Sequence, residues 1–194
     1  GSGAIVITDT GIAGSLRGVL KARVSDVNAD ATLILRFNNT KSPIDEQIEI
    51  GSDRLRVFFS DTSDQFAVAL LGVTINVADF VSISGDLVFN ESDGRQVFAG
   101  NGLTLFIGEG PAKLNNGEIN PFARGILINN ATVGLVKHEN SNTGGNPDYA
   151  LEANGTLQVV GIQDLGISGT IRVRVNSFEA KINETIEIPG TKQA

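Results

Sequence analysis

Apolar and polar residues alternate along almost the whole chain. In 16–24, Leu16, Leu20, Ala22 and Val24 share a side with Gly18, while Arg17, Lys21 and Arg23 point the other way. In 31–37, Ala31, Leu33, Leu35 and Phe37 alternate with Thr32, Ile34 and Arg36. In 81–89, Val81, Ile83, Leu87 and Phe89 alternate with Ser82, Ser84, Asp86 and Val88, and in 167–175 Ile167, Ile171, Val173 and Val175 alternate with Ser168, Thr170, Arg172 and Arg174. A period of two is the signature of a strand with one buried side. No window holds a helical period, and no good N-cap precedes a helical apolar pattern. The chain is therefore expected to be all-β with minimal helix, in roughly a dozen strands of ordinary length or somewhat longer.

Three stretches are apolar on both sides: Val57-Phe58-Phe59, Phe66 to Leu71, and Leu103 to Ile107. Strands of that kind are covered on both faces or lie where sheets cross. The expected architecture is thus an elongated antiparallel two-layer sandwich, or a rolled, solenoid-like sheet. Turn residues separate the runs, among them Asp26 to Asp30, Asn38 to Pro43, Asp61 to Asp64, Gly108 to Asn116 and His138 to Asp148. Asp93-Gly94 between Val88-Phe89 and Val97-Phe98 predicts a hairpin turn. Glycines inside strand patterns, such as Gly18, Gly85 and Gly155, mark bulges or crowded points.

One segment occurs twice. RFNNTKSPIDEQIEI at 36–50 aligns without a gap on RVNSFEAKINETIEI at 174–188, and seven of fifteen positions agree. Arg36/Arg174, Asn38/Asn176, Glu46/Glu184 and Glu49/Glu187 match alongside three isoleucine pairs, Ile44/Ile182, Ile48/Ile186 and Ile50/Ile188. Aliphatic matches are common in β-rich chains, whereas Arg, Asn and two Glu in register are not. With a one-residue slip, Gly18-Val19-Leu20 also meets Gly155-Thr156-Leu157. A long period of this kind points to a tandem array. On this reading residues 1–3 are a tag remnant, 4–50 the C-terminal part of one repeat, 51–188 a complete period packed with it, and 189–194 a tail.

Composition narrows the classes. The 194 residues are 41% hydrophobic and only 19% charged, so Ser, Thr, Asn and Gly must cover much of the surface. A net charge of −7 repels nucleic-acid phosphate and argues against a DNA or RNA partner. The absence of Cys excludes disulfides and thiolate metal sites. No apolar run reaches the roughly 20 residues of a membrane-spanning helix. A membrane barrel also has alternating strands, but it wears aromatic girdles, and one Tyr and no Trp argue against it.

The strings GAIVITDTGIAGSLRG, DFVSISGDLVFN, LTLFIGEGPA, GILINNATVGLVK, YALEANGTLQVVG and ISGTIRVRVNSFEAKINETIEI, with the repeated segment, cover nearly the whole chain. In order, they resemble the long tandem β-rich repeat of giant bacterial secreted or cell-surface, adhesin-like proteins. The resemblance implies export, an elongated all-β shape and a structural or adhesive role. A second resemblance is to the groove-forming antiparallel sheets of bacterial lipid-transfer proteins.

Candidate chemistry is sparse. Calcium takes six to eight oxygens, and Asp26, Asn28 and Asp30 offer three at alternating positions. That run lacks the Gly and the closing Glu of an EF-hand loop, and Asn28 and Asp30 align with Gly166 and Ser168 in the second copy. His138 is the only histidine and lies in the polar run HENSNTGGNPD, with no nucleophile elbow anywhere. Asp61 with Asp64 and Glu46 with Glu49 are carboxylate pairs of the type glycosidases use. The latter pair recurs as Glu184 and Glu187 and reads as an outward strand face. Gly108-Glu109-Gly110-Pro111 lacks the Lys and the helix of a phosphate loop.

The expectation is a non-enzymatic spacer module without a cofactor, whose partners are neighbouring copies of the same repeat. Each would cover the apolar end of the next to build a stalk or fibre. The alternative is a module that holds a glycan or a lipid acyl chain along a sheet groove.

Overall fold

The structure, a computed structural model, describes residues 1–25, 27–63, 65–77, 80–114, 116, 118–138, 148–162, 164–178 and 180–183. Their backbone is all-β and antiparallel, with no helix. The strands are β1 (Ser2–Thr8), β2 (Gly11–Val24), β3 (Val27–Asn38), β4 (Ile44–Ile50), β5 (Asp53–Phe59), β6 (Gln65–Val77), β7 (Val81–Ser92), β8 (Arg95–Glu109), β9 (Arg124–His138), β10 (Asp148–Val160) and β11 (Ser168–Asn176). Nine of them form one sheet in the order β1-β2-β3-β6-β7-β8-β9-β10-β11, and β4 and β5 form a separate hairpin. β1 and β11 are the two edges, so the sheet is open and no barrel closes. Ser2 and Gly3 belong to it, paired with Arg17 and Leu16.

The turns follow local chemistry. Asp93 and Gly94 both have positive φ (49° and 73°) between the paired ends Ser92 and Arg95, the conformation of a tight two-residue hairpin. The β2–β3 connection is shorter than the run Asp26 to Asp30 implies. Val24 pairs with Val27, so residues 27–30 are already strand.

Three strands carry a β-bulge, and each bulge has a residue of positive φ: Gly72 in β6 (57°), Gly102 in β8 (58°) and Asn130 in β9 (50°). One extra residue would swap the two faces of a strand. The bulge absorbs it and restores the alternation. Leu70 and Val73, or Gly100 and Leu103, therefore stay on one side. Across all nine strands that side is mainly apolar, with Glu91, Gln96 and Lys137 at one end as exceptions. One row of it runs Leu16, Leu35, Val68, Phe89, Phe98, Leu135, Leu151, Val175 through successive paired positions. The opposite face is mixed, with Arg17, Arg36, Ala67, Asn90 and Arg174.

Most of the buried core lies on the mixed face; Ala31 and Val73 are buried on the other. At one end the β4–β5 hairpin is a second layer, with Ile44, Val57 and Phe59 packed on Ala4 and Ala13. Alanines let the layers approach closely, and burying Val57 and Phe59 contributes roughly 3–6 kcal/mol. At the other end Ala112 and Ala123 of the β8–β9 connection cover Phe106, Leu127 and Val160. Ile34, Ala69 and Val88 cluster between. The doubly apolar stretches are explained by these coverings: Val57 and Phe59 sit in the second layer, Ala69 and Phe106 point to the mixed face, and their neighbours line the apolar one.

Candidate functional site

The residues singled out for chemistry are dispersed. Asp26 and Asp64 lie outside the described residues, as do Glu184 and Glu187. Asn28 and Asp30 are in strand β3, and both carboxylate oxygens of Asp30 accept from Arg23 Nη2, at 2.9 and 2.8 Å. Asp30 is thus ion-paired with Arg23. Asp61 caps its own turn, accepting from the Ser63 amide and from Gln65. Glu46 and Glu49 differ in parity along β4 and so point to opposite faces of the hairpin, and Glu49 pairs with Arg54. They cannot act together. His138 is the last residue of β9, opposite Arg95 and Asp148 rather than in a loop. Among the described residues no group of three His, Cys, Asp or Glu is arranged to hold a metal ion.

The matched segments, in contrast, share geometry in detail. Asn38 closes β3: its Oδ1 accepts from the Thr40 amide and its Nδ2 donates to the Ser42 carbonyl. Asn176 closes β11 in the same way, accepting from the Phe178 amide and donating to the Ala180 carbonyl. The next residue binds across to the partner strand in both places. The Asn39 amide donates to the Ile12 carbonyl, and the Ser177 amide to the Tyr149 carbonyl. The Ile12 amide donates to Asn39 Oδ1, and the Tyr149 amide to Ser177 Oγ. Register agrees as well: Ala13 pairs with Asn38 and Gly18 with Leu33, as Ala150 pairs with Asn176 and Gly155 with Ile171. Residues 184–188 of the second segment lie outside the described set.

The second feature is the apolar face. Among the described residues 25 large apolar side chains are exposed, and 15 of them lie on this one face, including Leu16, Phe66, Phe98, Ile126, Val173 and Val175. The hairpin β4–β5 approaches β1 and β2 from the other side. Strand spacing and rise give the face on the order of 1,500 Å². Monomers rarely expose an apolar patch beyond about 300–600 Å².

The third is a groove of about 680 Å³ on the mixed face of β9, β10 and β11, lined by Gly134, Val136, Ala150, Glu152, Arg174 and Ile182 among others. Glu152 carries its charge. Arg172 donates to it from Nε at 3.1 Å, and Arg174 Nε lies 3.4 Å from its other oxygen. The hydrogen bond from Arg172 is the main reason the Glu152 carboxyl titrates below its ordinary value; slight desolvation opposes this, and attraction to Arg172 and Arg174 adds to it. On the hairpin, Arg56 does the same for Asp45, and its own pKa rises in return.

Comparison with protein-family models, with characterised proteins and with solved structures gives no match. No described helix is long and apolar enough to cross a membrane. Sequence reasoning marked Asn38 as the start of a turn and as a matched letter, and Asn176 and Arg36 only as matched letters. Their hydrogen bonds were missed, although an Asn at the end of a strand pattern is itself a turn signal. The open apolar face was missed as well, because alternation says which residues share a side and not what covers it.

Proposed function

We propose that the chain is a structural module of an extracellular array, in which one copy joins the next through the edge of the sheet. The observation that carries this is the identical strand ending at Asn38 and Asn176, with identical register to the preceding strand. Strand β3, which ends at Asn38, gives its far edge to β6. Strand β11, which ends at Asn176, has no further strand on that edge among the described residues, and every residue of it is exposed. A β6-like strand from a following copy would continue the sheet there, and the hairpin would ride on top. The product is a long ribbon with a polar and an apolar side. This replaces end-capping by edge pairing as the joint between copies.

In repeat proteins stability is roughly a sum of unit and nearest-neighbour terms. A chain extended by a second copy of residues 51–188 is therefore expected to melt at a higher temperature than the single one. Equal melting temperatures, with the added copy unfolding by itself, would refute the joint.

A second reading is favoured by the 15 exposed apolar side chains on one face. An acyl chain laid on that face would remove it from water. Native mass spectrometry of protein purified from bacterial cells would then show lipid adducts that disappear when Leu135 and Leu151 are replaced by Ser.

A further inference from the structure

We infer that the groove on β9, β10 and β11 is a second docking seat for a strand of the chemistry of β5. The structure shows the first seat filled. There Ala4 of β1, Ala13 of β2 and the nearby Val6 form a floor, Ile44 closes one side, and Val57 and Phe59 of β5 fill the space. Arg36 clasps the docked strand: its Nη2 donates to the Phe58 carbonyl at 2.6 Å, and its guanidinium lies 4.8 Å from the centre of the Phe59 ring.

Pairing registers carry this floor onto the groove position by position. Ala13 faces Val6 and Asn38, as Ala150 faces Val136 and Asn176. Ala4 and Arg36 both face Ser15, as Gly134 and Arg174 both face Glu152. Ile182 lines the groove, and it is the sequence match of Ile44. The floor, the side and the arginine are all present. Among the described residues, what the first seat has and the groove lacks is a counterpart of Val57 and Phe59.

The occupant is therefore an extended strand with a Val-x-Phe alternation and a carbonyl between the two for Arg174. The single difference in the clasp is Glu152 in the place of Ser15. It holds Arg174 in reserve, and Arg172 remains to neutralise it when Arg174 turns to the strand. The seat stands on the described geometry. Only the source of the strand, a following copy, rests on the array reading.

The test uses the full chain and a fluorescent peptide with the sequence of residues 52–60. Saturable binding is expected in the range of about 10–300 µM. It should weaken about tenfold with Arg174→Ala, an exposed position, and be abolished by Ala150→Arg or by a peptide carrying Val57→Asp and Phe59→Asp. Amide shifts on binding should map to Gly134, Ala150 and Ile182. No saturation at millimolar peptide, binding indifferent to these changes, or shifts confined to Leu135 and Val133 on the apolar face would each overturn the seat. The longer chain can melt higher while the peptide fails, so this result is separate from the edge-pairing joint.

Discussion

Asn38 and Asn176 sit 138 residues apart and end their strands with the same two hydrogen bonds, yet Asn38 is 1% exposed and Asn176 lies in a strand exposed throughout. Same chemistry in different surroundings should have different energetic weight. Asn38→Ala would leave the buried Thr40 amide without its acceptor and the Thr40 hydroxyl with the Ser42 carbonyl alone. The expected loss is about 2–3 kcal/mol, against less than about 1 kcal/mol for Asn176→Ala, where water can substitute. Urea denaturation of the two variants measures the difference.

The hairpin β4–β5 is held by few residues, so one truncation should release it. Phe59→Ala removes the ring that fills the first seat and lies under Arg36. A loss of about 3 kcal/mol is expected. The visible result is faster proteolysis in 39–43 and 60–63, with the nine-stranded sheet still protected from hydrogen exchange.

Two glycines on the apolar side of β2 should respond oppositely to substitution. At Gly14 an added Cβ would stand 2.6 Å from the Phe37 ring and 2.9 Å from the Ala4 carbonyl oxygen. At Gly18 it would meet nothing within 4 Å. Gly14→Thr is expected to cost about 1–3 kcal/mol through overpacking. Gly18→Thr should instead stabilise by about 0.5 kcal/mol, because threonine suits a strand and glycine does not. Thermal midpoints of both variants decide.

Stability should fall on acidification through Asp45 and Glu152. Both carboxyls titrate lower in the folded chain than their ordinary values of 3.8 and 4.5. The unfolded chain therefore binds protons first as pH drops. The stabilisation is complete above the ordinary values and is lost as pH falls through the folded ones. Asp45→Asn and Glu152→Gln should flatten the dependence of melting temperature on pH below about 4.5. Both groups are open to solvent, so salt should weaken the effect.

The apolar face should make the chain self-associate. Ile7 and Val173, both on edge strands, are 80% and 49% exposed, so Ile7→Ser and Val173→Lys remove greasy surface with little loss of packing. Sedimentation velocity is expected to show less association for the double variant at raised concentration, with the unfolding midpoint nearly unchanged.

Alternation alone settled much of this protein. A period of two cannot be satisfied by a helix, so an all-β chain follows directly from the spacing of Leu16, Leu20 and Ala22 or of Leu33, Leu35 and Phe37. It also assigned those residues to one side correctly, and Asp93-Gly94 announced its own hairpin, because positive φ at two successive positions is chemistry local to the turn. Tertiary structure alone decided which side is covered. Most of the fully buried residues, Ala13, Val57, Ala69 and Phe106 among them, lie on the mixed face or against it, while the stripe through Leu35, Phe98 and Leu135 has no second layer. Burial depends on where the hairpin after β3 and the connection after β8 come to rest, and no pattern within a strand encodes that. The same holds for Asp30, whose ion pair with Arg23 exists only because β2 pairs with β3.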